Sequence, residues 1–151
     1  MSALSSMDLA VDQATRQRDQ QRLELARTLQ AQDAAQDQFN QLESYAQETQ
    51  TRWISKSQQQ ATPEVMRHYY QFMDKLHQAM ALQTQALQEA GRRVQEQQEC
   101  LLQAEFKLAG RQTVCANMRR EAGLRRDKLE QKQFDEMAAQ QYRRNRAQHA
   151  I

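Results

Sequence analysis

The sequence predicts an all-α fold: a long antiparallel two-helix coiled-coil hairpin in which the second helix is the longer. Three observations carry that prediction. Every seventh residue from Met66 to Leu129 is apolar, running Met66, Met73, Met80, Leu87, Val94, Leu101, Leu108, Cys115, Ala122, Leu129. At 39% apolar content, ten hits in one register arise by chance with a probability on the order of 10⁻⁴. Breakers are almost absent, with 3 Gly and 1 Pro in 151 residues. The single Pro sits in the only helix-restart signal of the chain.

A strict seven-residue repeat makes an apolar seam that winds against another helix as a left-handed supercoil. An amphipathic helix on a globular domain rarely exceeds ~20 residues, so that reading is set aside. Gln, Arg, Ala and Glu dominate the chain, β-branched residues are few, and strands are not expected. Charges interrupt the Gln-rich stretches every few residues, which argues against a prion-like tract.

The first helix is expected over about 5–56. Ser5 is the candidate cap and Asp8, three residues on, its capping-box partner. One seam line runs Leu4, Val11, Arg18, Leu25, Gln32, Phe39, Ala46, Trp53; its companion runs Met7, Ala14, Gln21, Thr28, Ala35, Leu42, Thr49. Diluted by polar residues, this helix is marginal alone and needs the second. The bend is expected over about 57–62. Thr62 then caps a helix over about 63–147, with Pro63 at its first position and Glu64 at the positive end of its dipole.

The whole of 1–151 reads as one coiled-coil hairpin, since a short connection folds two helices back antiparallel. Folding near Ala61 sets Trp53 beside Tyr69, Ala46 beside Leu76 and Leu42 beside Met80. It also sets Ala35 beside Leu87, Ala14 beside Leu108 and Met7 beside Cys115, to within about one helical turn. On the second helix's companion line, Tyr69, Leu76, Ala90, Ala104 and Met118 alternate with Gln83, Gln97, Arg111 and Arg125. Such polar positions reduce stability and specify register. The first helix runs out opposite roughly residue 121, leaving ~30 residues of the second without an internal partner, ~45 Å of helix.

Chemistry is not legible. His68, His77 and His149 lack the spacing to share a metal, and no phosphate loop or nucleophile context appears. The chain is therefore read as not an enzyme, with no cofactor and no metal. Cys100 and Cys115 lie about 22 Å apart along one helix and cannot pair within the chain. No signal peptide is visible and no apolar run approaches the ~20 residues of a membrane span, so a cytoplasmic location is expected.

Charge is uneven. Residues 91–151 carry 13 Lys and Arg against 8 Asp and Glu, a net of +5, whereas residues 1–90 carry 8 against 11, a net of −3. The unpaired end holds Arg119, Arg120, Arg125, Arg126, Lys128 and Lys132, then Arg143, Arg144 and Arg146, with Leu124, Leu129, Phe134, Met137 and Tyr142 among them. Interspersed Glu121, Asp127, Glu130, Asp135 and Glu136 argue against a phosphate-binding stripe, so no nucleic acid is expected. An acidic protein surface is the better partner. At the bend, Phe39, Trp53 and Tyr69 are assigned to the seam. Tyr45, Tyr70 and Phe72 fall outside it as partly exposed candidates for a protein contact.

Several segments resemble the flagellar type III export protein FliJ family: Gln38-x-x-x-Leu42-x-x-Tyr45, Tyr69-x-x-Phe72-x-x-x-Leu76-x-x-Ala79, and the run from Leu129 to Ala138. The resemblance covers nearly the whole chain and implies a stalk similar to the central shaft of rotary ATPases. It implies that the terminal ends dock into a hexameric flagellar export ATPase, here through Arg119, Arg120, Arg125, Arg126, Lys128, Lys132, Phe134 and Met137. It implies contact with the cytoplasmic domain of the export gate through Gln38, Leu42, Tyr45, Phe72, Leu76 and Ala79. Export chaperones are implied partners, and the membrane is met only through the export apparatus at the inner face of the inner membrane. Thr49 and Gln83 depart from the family's Tyr and His. The alternatives are an export chaperone or escort, an injectisome stalk protein, and a nucleic-acid-binding coiled coil.

Overall fold

In the computed structural model, residues 2–57, 59 and 61–149 are described. They form two helices, α1 (Ala3–Ser57, 55 residues) and α2 (Pro63–His149, 87 residues), with no strand among them. The bend expected over 57–62 includes Gln58 and Gln60, which lie outside the described residues.

The ends follow capping chemistry. At α2 the Thr62 hydroxyl accepts from the Val65 N–H at 3.3 Å, and Pro63 takes the first position, where its missing N–H costs nothing. At α1 the expected cap is corrected by one turn. Ser2, not Ser5, is the N-cap: its Oγ accepts from the Ser5 N–H at 3.2 Å and its carbonyl from Ser6 at 3.2 Å. Ser5 occupies the third helical position, where its hydroxyl meets the Ser2 hydroxyl at 3.1 Å. A serine three residues ahead of a donor caps as well as one beside an acid, because the orphan N–H groups of the first turn are what must be satisfied.

The chain divides into two compact units. One, Arg18–Ala104, is a two-helix hairpin in itself. Its helices run antiparallel, since partners descend α1 as they ascend α2. The Trp53 and Tyr69 rings stack at 4.4 Å, and Tyr45 meets Phe72 at 5.7 Å. Farther along, Gln83 Nε2 donates to the Ala35 carbonyl at 2.9 Å, and Gln97 donates to Gln21. The seam positions Gln83 and Gln97 are therefore tied by cross-helix hydrogen bonds, which satisfy them only at one axial offset. In this unit Ala46, Leu76 and Val94 are buried, each on a seam line read from the sequence.

The other unit comprises residues 1–17 and 105–151. Here α1 packs on α2 around buried Ala14, Leu108 and Cys115. Arg111 Nη1 donates to the Ala10 carbonyl at 3.1 Å, and Lys107 Nζ to Gln17 Oε1 at 3.2 Å. No large side chain among the described residues is completely buried. A two-helix seam covers each knob on one side only, so its stability comes from many half-buried contacts rather than a closed core. Gly110 and Gly123 are helical and off the seam, and a Cβ at either would meet open space. Their absence of a side chain serves no packing.

Candidate functional site

Two surfaces stand out, one in each unit, and each arises from how the heptad pattern leaves residues over.

In the hairpin Arg18–Ala104, the seam consumes the Trp53 and Tyr69 rings, which lie nearly parallel at 6°. Tyr69 also meets Tyr70 edge-on at 5.5 Å. Tyr45 (50% exposed) and Phe72 (39%) come from facing helices and touch edge-to-face at 81°. They are partly exposed, yet not independent of one another. Of the residues with an implied gate contact, the fold brings Tyr45 and Phe72 into direct contact. It leaves Leu42 and Ala79 half-buried and buries Leu76 in the seam. Gln38 is exposed, but its Oε1 accepts from Gln83 Nε2 at 3.1 Å. The same Gln83 amide group holds the Ala35 carbonyl, so Gln83 works as a cross-helix clamp.

In the unit 1–17 with 105–151, Asp8 of α1 faces Cys115 and Arg119 of α2. The Cys115 Sγ donates to Asp8 Oδ1 at 3.2 Å, and Arg119 Nη2 donates to the same oxygen at 2.7 Å. The thiol is pushed above its ordinary value, first by the hydrogen bond to Asp8, then by burial and by the carboxylate's charge, with Arg119 pulling the other way. The sequence reading set Met7 beside Cys115 and gave Asp8 a role in a cap. The hydrogen bond to the adjacent Asp8 lies within the same helical turn as that pairing.

Beyond this cluster α1 has ended, and every residue of α2 from Leu124 to His149 is exposed. Arg120, Arg125, Arg126, Lys128, Lys132, Phe134 and Met137 all lie on solvent-facing positions of α2, whereas Arg119 is also exposed but tied to Asp8. The chemistry available at both surfaces is recognition by apolar contact and charge. Among the described residues no group of His, Cys, Asp or Glu is placed to hold a metal ion, and no helix is long and apolar enough to cross a membrane.

A family profile described as "Flagellar FliJ protein" matches residues 4–147, nearly the whole chain. The chain belongs to the flagellar FliJ family. No curated protein and no solved structure matches it. By its family membership the chain is a flagellar export-related protein.

Sequence reasoning missed two features of the surface. Phe106, at 72% the most exposed aromatic ring, faces away from α1 and passed unremarked because it breaks no pattern. A groove near the bend is rimmed by Arg52, Lys56 and His68. The i, i+4 spacing of Arg52 and Lys56 was the signal that could have found it.

Proposed function

We propose that this chain is a cytoplasmic stalk of the flagellar export apparatus, acting as a single coiled-coil hairpin without chemistry or cofactor of its own. The free end of α2 docks into the ring of the hexameric export ATPase, and the Tyr45–Phe72 surface contacts the cytoplasmic domain of the export gate. Export chaperones are further partners, and the protein meets the inner membrane only through the apparatus. The observation that carries the reading is the uninterrupted exposure of α2 from Leu124 to His149. An isolated helix of this kind is marginal in water, and Leu129, Phe134 and Met137 leave apolar surface that a partner would cover. Its cations favour an acidic channel and fast, salt-sensitive association.

Truncation after Arg120 tests this. It removes no buried residue of the α1–α2 seam, so helix pairing should persist while stimulation of the export ATPase is lost. Reversing Arg125, Arg126 and Lys128 to Glu should slow association, with the defect shrinking as salt rises. Full stimulation by the truncated chain would move the docking site elsewhere.

A further inference from the structure

The groove beside the bend lies wholly within the hairpin Arg18–Ala104 and is not explained by the seam. It is a cleft of about 410 Å³. Its apolar lining comes from the stacked Trp53 and Tyr69 rings with Phe72 and Val65. Val65 is 47% exposed although it lies on α2 one turn from the bend. Around these sit Arg52, Lys56 and His68, and no carboxylate lines the cleft among the described residues. Aromatic side chains in the lining offer contact area at small entropic cost. A one-signed rim selects the charge of what enters.

We propose that this cleft binds a segment of another protein in which a large apolar side chain is flanked by carboxylates. The apolar side chain lies on the Trp53–Tyr69 stack, and its acidic neighbours meet Arg52 and Lys56. Phe72 belongs both to this cleft and to the Tyr45–Phe72 surface. The inference therefore deepens the gate-contact reading, and rests on it only for which protein brings the segment.

The test uses the full chain alone, so its outcome is separate from ATPase stimulation. Trp53 is the single tryptophan, and its emission reports directly on the floor of the cleft. Two short capped peptides are titrated, one carrying Leu-Phe between glutamates and its counterpart carrying Leu-Phe between lysines. The acidic peptide should change Trp53 emission saturably and bind at least about fivefold tighter than the lysine peptide. Each exposed ion pair is worth up to about fivefold, and the preference should shrink with added salt. Arg52→Gln with Lys56→Gln should level the two affinities, and Arg52→Glu with Lys56→Glu should invert them. Both variants change only exposed residues, so unchanged helical content by circular dichroism confirms folding. Equal binding of the two peptides overturns the proposal, as does no saturable change up to ~1 mM. It is equally overturned if vesicles containing anionic phospholipid shift Trp53 emission while the acidic peptide does not, because the rim would then serve a membrane surface.

Discussion

Leu108→Ala and Phe106→Ala stand two residues apart on α2 and should differ several-fold in their effect on stability. Composition alone would pick the phenylalanine as the larger contributor. The fold reverses that order, because Leu108 is 4% exposed and Phe106 is 72% exposed. Truncating Leu to Ala removes about three buried carbon groups, or roughly 2.4 kcal/mol at ~0.8 per group. Buried Leu→Ala changes span ~2–5 kcal/mol, the upper values coming from cavities that cannot collapse. The Leu108 layer is open at its sides, so water or neighbouring side chains can enter the space, and a loss of about 2–3 kcal/mol is expected. Phe106 has little area to lose, and a surface change should cost about 0.5 kcal/mol or less. Urea unfolding followed by circular dichroism at constant slope measures both. Equal losses, or a larger loss for Phe106→Ala, would refute the seam assignment in this unit. That result would mean α2 presents its opposite face to α1.

Two further predictions concern pairs that the fold creates. Tyr45→Ala and Phe72→Ala should each destabilise mildly, and their double-mutant cycle should return a coupling of ~0.5–1.5 kcal/mol, typical of an edge-to-face pair; a coupling of zero would mean the rings act as independent surface groups. The raised Cys115 thiol should alkylate far more slowly than exposed Cys100 near pH 8, as read by mass spectrometry of the two single-cysteine variants. Because its folded value lies above the unfolded one, Cys115 contributes stability that is fully present below the unfolded value and is lost as pH rises through the folded value. A steeper fall of the melting temperature above that pH than in Cys115→Ala checks the sign, and parallel curves would refute it.

Much of the fold was legible from residues alone. The seven-residue repeat identifies the buried face because a helix's geometry ties sequence spacing to direction, whatever the partner. Ala14, Ala46, Leu76, Val94, Leu108 and Cys115, the buried residues among those described, all fall on seam lines drawn from that spacing. The restart at Thr62-Pro63 was legible for the same reason, since capping is satisfied within four residues. Even the long exposed stretch from Leu124 follows from counting how far α1 can reach.

What the sequence by itself could not determine are contacts that depend on axial offset and on rotamers. A slide of one turn leaves every seam residue on the seam, yet it changes which atom each polar group meets. Only the tertiary structure decided that Gln83 clamps the Ala35 carbonyl and Gln38, and that Cys115 donates to Asp8. The same holds for Tyr45, which the heptad assigns to solvent but which a facing helix turns onto Phe72. The cationic cleft over the Trp53–Tyr69 stack is of this kind too, assembled from residues of both helices that no single period relates. Periodicity specifies a face, whereas partners are chosen by short-range geometry that exists only once two helices have met.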